Sequence, residues 1–288
     1  MLTRLRKTTT AASSELAYTL NRINYSHRLP RLTQTDAALV TRLRHEGVCV
    51  TSLDELALPM TSRLLSAASS LVAEVPPASS VRFEGDRSVS SHCVHAGPTR
   101  IMMYPDIFLW GLQERLLNLA ESYIGLPVAY RGVVLRRDAP NGRQVGTRLW
   151  HLDGEDRRMV KMIVYLNDVD EDGGPFEYIP RTISPSYRPF RGIHCKIKDA
   201  DMAKVIPSSR WKACPGNMGT VVMVDTASVF HHGKVPMSER LALIFTYFSR
   251  QPKRPTLCKS SFSPDLIAPM VPNFSSRQHA CVMGWRSR

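Results

Sequence analysis

The hydrophobic periodicity of the chain changes near residue 127, and this change constrains the fold more than any other feature of the sequence. Before it, apolar residues recur at helical spacing, most clearly over 106–124. After it, short apolar segments of period two are separated by turns rich in Gly, Pro and Asp. Helices followed by many short strands predict an α+β fold with a double-stranded β-helix (jelly-roll, cupin-like) core. We expect helices, mainly from the N-terminal third, to cover one face of that core.

The individual elements can be predicted from the same pattern. Apolar stripes and capping residues predict helices from Thr35 or Asp36 to about Glu46, over 54–73 with a break near Pro59, and over 106–124. Alternating segments predict strands at 48–51, 127–136, 147–152, 159–168, 176–179, 220–224, 229–232 and 241–249. The long stretches between them, 84–99, 138–149 and 181–215, are expected to line a substrate pocket, with 84–99 as a lid.

The positive charge of the chain lies at its two ends. The 288 residues contain 38 Lys and Arg against 25 Asp and Glu, a net charge of +13. Residues 1–35 hold six basic side chains and one acid, residues 250–288 hold seven and one, and the 214 residues between them carry only +2. This distribution predicts a basic arm (1–34), a single catalytic domain (35–250, jelly-roll core about 127–250) and a basic extension (251–288). A nucleic-acid groove needs positive charge in the middle of the fold, so the charge points instead to a weak contact of the ends with an acidic surface.

Composition and cysteine usage predict a cytoplasmic protein. No segment approaches the ~18–20 apolar residues of a membrane span. The six cysteines show no CxxC spacing, which is typical of reduced thiols. The Arg- and Ser-rich N-terminus leaves an organelle-targeting signal as the alternative.

Two short segments carry metal-binding side chains. In 150–153 (WHLD), His151 and Asp153 are two residues apart and would point to the same side of a strand. Some 80 residues later, 225–233 (DTASVFHHG) offers two adjacent histidines. One of them could complete a facial triad of two histidines and one carboxylate, which leaves three octahedral positions open on Fe(II). Zinc in a tetrahedral site stays open as an alternative at this point.

Arg240 and Ser238 favour the iron site over the zinc site. They lie two apart on the strand that follows the histidines, so they would share a face. A guanidinium beside a hydroxyl matches a carboxylate through bidentate hydrogen bonds. A dicarboxylate that chelates iron through its keto-acid end could therefore be held at its far end by Arg240.

The sequence resembles the Fe(II)/2-oxoglutarate-dependent dioxygenases, specifically the phytanoyl-CoA dioxygenase-like family. The resemblance is carried by 150–156 (WHLDGED), 161–180 (KMIVYLNDVDEDGGPFEYIP) and 225–248 (DTASVFHHGKVPMSERLALIFTYF), and more weakly by 35–50. It implies that His151, Asp153 and His231 ligate Fe(II), and that Arg240 and Ser238 anchor the cosubstrate 2-oxoglutarate. His231 is preferred to His232 because it fits the His-x-Gly pattern and stands nine residues before Arg240. The chain departs from the family after Pro180, where 181–183 (RTI) replaces Gly-Ser-His.

The activity that this resemblance implies is O2-dependent hydroxylation of an unactivated C–H bond with release of succinate and CO2. The substrate would be a small molecule: a metabolite, an amino acid or a lipid-like compound. Asp153 argues against the family's halogenating branch, whose members lack this carboxylate. The alternatives are oxidative demethylation of nucleic acid, a non-catalytic jelly-roll interaction module and a zinc hydrolase. His92 and His95 are candidates for a separate zinc site or for substrate contacts from the lid.

Overall fold

The architecture was analysed in a computed structural model, which describes residues 2–77, 92–190 and 196–286, with side chains from residue 13 on. The described residues form nine strands. These are β1 (Val48–Ser52), β2 (Cys93–His95), β3 (Val128–Asp138), β4 (Met159–Tyr165), β5 (Phe176–Tyr178), β6 (Lys212–Cys214), β7 (Thr220–Val224), β8 (His231–Gly233) and β9 (Arg240–Ser249).

The strands form two antiparallel sheets. The large sheet has the order β1-β7-β4-β9-β3-β2, and the small sheet has the order β6-β5-β8. Tyr165 and Val224 from the large sheet share one buried cluster with Phe176 and Tyr178 from the small sheet, so the two sheets pack against each other. The predicted mixture of helices and antiparallel strands is confirmed, and the two packed sheets are consistent with a jelly roll.

The described helices cover the outer face of the large sheet, except the short one at Asp199–Met202, which packs with Trp150 and Phe230 in a separate cluster. They are α1 (Leu2–Tyr25), α2 (Gln34–Glu46), α3 (Leu53–Leu56), α4 (Thr61–Glu74), α5 (Pro98–Met102), α6 (Pro105–Trp110), α7 (Glu114–Ile124), α8 (Asp199–Met202), α9 (Pro264–Ile267) and α10 (Ser276–Val282). The main core contains Leu43 of α2, Leu64 of α4 and Leu117 of α7 beside Leu135 and Phe245 of the sheet. None of the described helices is long and apolar enough to cross a membrane.

Three predicted elements differ from the structure. The amphipathic stretch 106–124 is broken into α6 and α7 at 111–113. The cap of α2 is Thr33, whose side chain accepts the Asp36 N–H, and not Thr35 or Asp36. The stretch 147–152 is not a strand: it begins inside a 3-10 turn that starts at Gly146 (φ 63°), and only residues 150 and 151 form bridges. A left-handed glycine turns the chain away from the extended path that alternation alone predicts.

Both basic ends pack on the rest of the protein. In the N-terminal arm, Tyr25 donates a hydrogen bond to Glu121 of α7 at 2.8 Å. In the C-terminal extension, Phe262, Ile267 and Val282 are buried in the main core. The division of the chain at residues 34 and 250 stays a prediction, and the extension contributes to the same core as the strands.

Candidate metal centre

A pair of backbone hydrogen bonds brings the two halves of the predicted triad together. His151 and His231 form an isolated antiparallel bridge, with both N–H···O distances at 3.1 Å, and their ring centroids lie 4.3 Å apart. The Asp153 N–H donates to the Thr226 carbonyl at 2.9 Å, which brings the carboxylate to the same place. One ligand atom each from His151, Asp153 and His231 lies within 4.8 Å of the other two. The structure thus gathers all three predicted ligands into one cluster.

The orientation of both imidazoles is fixed by backbone carbonyls. Nδ1 of His151 lies 2.7 Å from the Leu149 carbonyl, and Nδ1 of His231 lies 3.0 Å from the Val229 carbonyl. Since a carbonyl only accepts, each Nδ1 carries the proton and each Nε2 is left as the acceptor. The Nε2 atoms lie 3.9 Å (His151) and 4.0 Å (His231) from the Asp153 carboxylate oxygens. This is the tautomer in which histidine ligates metals through Nε2.

The electrostatics give each group the protonation state that a metal ion requires. Burial, and then the neighbouring His151, lower the pKa of His231 to about 3, and burial also lowers the pKa of His151. Burial by itself would raise the pKa of Asp153, but Lys161 and the two histidines outweigh it and hold this pKa well below its usual range. The Lys161 ammonium lies 2.6 Å from Asp153 Oδ2. At neutral pH the cluster therefore offers two neutral imidazoles and one carboxylate.

His232 belongs to a different set of contacts. Its Nε2 lies 2.7 Å from the Glu177 carboxylate and its Nδ1 lies 3.0 Å from the Arg148 carbonyl. Its ring packs 4.0 Å from the ring of Trp150. Adjacent strand residues point to opposite sides, so His231 reaches the cluster and His232 does not.

A second charged cluster surrounds Arg240 and was not foreseen from the sequence. Asp138 is paired with Arg240 in the register of β3 and β9, and its carboxylate lies 2.8 Å from Arg240 Nη2 and 2.6 Å from Arg136 Nη2. Arg240 Nη1 also donates to the Gly174 carbonyl. Burial opposes the ionisation of Asp138, but Arg136 and Arg240 outweigh it and keep the pKa of this carboxyl far below its usual range.

Both clusters line one narrow cavity, about 80 Å³ in volume. Its wall includes His151, His231, Lys161, Thr226, Arg240 and Asp138. Ser238 is exposed in the turn before β9 and is not in this wall, because the strand that would aim it inward begins only at Arg240. The predicted partnership of Ser238 with Arg240 is therefore not present in this structure. Three other hydroxyl groups belong to residues of the wall. Those of Thr147 and Tyr165 are bonded to His92 and to the Cys214 carbonyl, whereas that of Thr226 has no hydrogen-bond partner among the described residues.

The His92–His95 segment forms the edge strand β2 and does not offer a good cation site. His92, Cys93 and Asp138 have ligand atoms within 4.8 Å of one another. However, Arg136 and Arg240 already hold Asp138, and Arg148 lies 4.0 Å from it. These guanidinium groups would repel a cation, so we assign no metal here. Of the expected lid, 84–91 lies outside the described residues.

Comparisons with known proteins show the fold. A scan against protein-family models finds no match, and a search of curated proteins finds none. Among solved structures, the epimerase SnoN in complex with Fe3+, alpha ketoglutarate and nogalamycin RO is 15% identical, with a TM-score of 0.51 over 81% of this chain and 89% of SnoN. HygX from Streptomyces hygroscopicus with nickel and 2-oxoglutarate bound is 16% identical, with a TM-score of 0.50 over 76% of this chain and 88% of HygX. The chain has the fold of these Fe/2-oxoglutarate-dependent enzymes. A phytanoyl-CoA dioxygenase-like subfamily is not shown.

Proposed function

We propose that the protein is an Fe(II)- and 2-oxoglutarate-dependent oxygenase acting on a small molecule. The observation that carries this proposal is the convergence of the Nε2 atoms of His151 and His231 on the Asp153 carboxylate. Two imidazoles and one carboxylate form the ligand set of non-haem Fe(II) oxygenases. The SnoN and HygX structures support the proposal because they contain a metal and 2-oxoglutarate in the same fold.

The residues in the cavity fit both groups. His151, Asp153 and His231 would hold the iron, and Arg240 would hold the far carboxylate of 2-oxoglutarate. A Cβ atom added at Gly233 would lie 2.7 Å from Arg240 Nη2, so the glycine leaves the guanidinium its space. Three arginines, Arg136, Arg240 and Arg148, surround the single buried carboxylate of Asp138, and this surplus of positive charge suits the far carboxylate of 2-oxoglutarate. When bound, Fe(II) with 2-oxoglutarate and O2 supplies the oxidising chemistry.

The chain itself contributes orientation and shielding. The carbonyls of Leu149 and Val229 fix the imidazoles, and Lys161 holds one oxygen of Asp153. Asp138 and the Gly174 carbonyl fix the direction of the Arg240 fork. Preorganised groups of this kind lose little entropy when the ligands bind.

We propose that the reaction is hydroxylation of an unactivated C–H bond with release of succinate and CO2. We also propose that the protein is a member of the phytanoyl-CoA dioxygenase-like family and that it acts in the cytoplasm. The near-neutral charge of the central residues disfavours the nucleic-acid alternative. Anaerobic reconstitution with Fe(II) and 2-oxoglutarate, followed by aerobic screening of a metabolite panel, tests the proposal. Substrate-dependent succinate release is expected. Its absence with every metal-loaded preparation, or turnover without 2-oxoglutarate, would contradict it.

Gly233→Ala should weaken 2-oxoglutarate binding by about tenfold or more, because the new methyl group meets a guanidinium that Asp138 and Gly174 prevent from moving. Calorimetric titration of the Mn(II)-loaded protein with 2-oxoglutarate measures this change. Gly97→Ala is the control, since a Cβ at Gly97 meets no atom within 4 Å. An unchanged affinity in Gly233→Ala would contradict the placement of the cosubstrate at Arg240.

Thr226→Val should not destabilise the metal-free protein, but it should weaken the binding of 2-oxoglutarate to the metal-loaded protein. The Thr226 hydroxyl is buried without a partner among the described residues, so its removal should leave the metal-free chain as stable or stabilise it by about 1 kcal/mol. The affinity for 2-oxoglutarate should fall by roughly 3- to 10-fold if the cosubstrate or its water satisfies this hydroxyl. Urea unfolding and calorimetric titration measure the two effects. A destabilised apo protein with unchanged affinity would show that the hydroxyl is structural.

A further inference from the structure

A second, larger cavity adjoins the candidate metal centre. It has a volume of about 560 Å³, and Arg136, Thr147, Lys161 and Ile244 line both cavities. A molecule in the larger cavity would therefore reach the triad past these four side chains. This geometry makes the larger cavity the candidate substrate site.

The wall of this cavity combines apolar surface with basic side chains. Val134 and Ile244 provide apolar surface, whereas Phe262 reaches the wall with only 1% of its surface exposed. The charged side chains in its described wall are all basic, namely Arg131, Arg136 and Lys161, and no carboxylate of the described residues lines it. A cleft lined by charges of one sign concentrates ligands of the opposite sign.

Arg131 is the cation in this wall that is best placed to meet a ligand. Its side chain is 34% exposed, compared with 10% for Arg136 and 21% for Lys161, which are paired with Asp138 and Asp153. It stands at a β-bulge, where the register of β3 with β9 shifts between Tyr130 and Gly132. Bulges redirect a side chain out of the regular alternation. The Nε of Arg131 donates to the Lys259 carbonyl and its Nη1 to Glu155, both at 3.1 Å, and neither partner lies in the cavity wall, so Nη2 is the atom left for a ligand.

The C-terminal extension completes this end of the cavity. The Ser260 hydroxyl donates to the Arg131 carbonyl at 2.7 Å, and Phe262 packs over Gly132, where an added Cβ would lie 2.6 Å from the ring. Phe262 itself is buried against Phe108. The backbone next to Arg131 is therefore packed against the main core through Phe262.

The sheet register gives the backbone separation between the bulge that carries Arg131 and the strand that carries Lys161. Gly132, Thr246 and Lys161 stand side by side on β3, β9 and β4. Two strand spacings make this separation about 10 Å. We propose that the substrate is a small organic anion whose acid group binds Arg131 and whose apolar body lies on Val134 and Ile244. This inference rests on the proposed function for its reaction, but not for its binding.

The proposal can be tested by fluorescence titration of the full-length, metal-free chain. The probes are dansylglycine, dansyl-6-aminohexanoic acid and the primary amide of each. The amides keep the same body and lose the charge. We expect at least one acid to bind about tenfold more tightly than its amide at low salt, with the preference shrinking as salt rises. Arg131→Gln should abolish the preference, whereas Arg131→Lys should retain most of it. Arg100→Gln, an exposed arginine outside the wall, is the control and should behave as the wild type.

Equal affinity of acid and amide, failure of all four probes to bind, or an unchanged preference in Arg131→Gln would overturn the proposal. The readout needs no metal, so it separates two failures. Acid-selective binding without 2-oxoglutarate turnover would refute the proposed function and keep the anion site. Turnover of neutral substrates with 2-oxoglutarate, without acid-selective binding, would refute the anion site and keep the proposed function.

Discussion

Replacing His151 or Asp153 with alanine is expected to abolish substrate-linked succinate formation while the fold stays intact. Each variant removes one of three converging ligands, and no other described carboxylate or imidazole lies within the same cluster. Loss of groups that only orient a ligand typically costs 10- to 100-fold, so loss of a ligand itself should exceed about 100-fold. Succinate release with the best metabolite of the panel measures the effect.

His232→Gln is the matched control for these ligand variants. His232 is the neighbour of His231 in the chain, but its own contacts are with Glu177 and the Arg148 carbonyl. A glutamine in its place can still donate to Glu177. Because His232 also lines the small cavity, this control is judged by Fe(II) binding, which we expect to stay at one ion per chain. Circular dichroism and thermal unfolding should show native folds for all variants. Undiminished turnover in His151→Ala or Asp153→Ala would refute the assignment of the triad.

Asp138→Asn is expected to lower the free energy of unfolding by about 3–5 kcal/mol, because it leaves Arg136 and Arg240 buried without their carboxylate. Urea unfolding at pH 7 measures this loss. Arg63→Gln is the control: it breaks an ion pair with Asp106 in which the arginine is 65% exposed, and should cost less than about 1 kcal/mol. Equal costs for the two variants would show that Asp138 is not the counter-ion of the arginine cluster.

The same pair of proteins gives a pH test. The folded-state pKa of Asp138 is lowered, so its contribution to stability is complete above its unfolded pKa of about 3.9 and is lost as the pH falls through the folded pKa. The difference in unfolding free energy between the wild type and Asp138→Asn should therefore be constant from about pH 8 to pH 5. It should shrink only below about pH 4. A difference that already declines between pH 7 and pH 5 would contradict this account.

The sequence predicted the parts of the site that depend on periodicity and spacing. Strand β7 occupies 220–224 as predicted, and β9 differs from its prediction by one residue. The spacing of His151 and Asp153 was interpreted as a strand, yet Asp153 is placed by the backbone contact with Thr226 instead. His151 forms a single backbone bridge to His231, and this bridge gives His151 the position that a full strand would have given it.

The charged network around Asp138 could not be predicted in the same way. A run of two arginines and an aspartate before Pro140 is typical of an exposed turn, since charged residues are rarely buried without partners. The partner, Arg240, is 102 residues away, and only the register of β3 and β9 brings it to Asp138. The role of Phe262 was missed for a related reason, because the charge of 251–288 indicated a surface segment.

The most direct test of the central claim is the stoichiometry of Fe(II) binding, measured anaerobically by titration in the presence of 2-oxoglutarate. The wild type and His232→Gln are expected to bind one Fe(II) per chain, and His231→Ala is expected to lose that site. Full binding in His231→Ala together with loss in His232→Gln, or the same binding in all three proteins, would contradict the proposed metal centre.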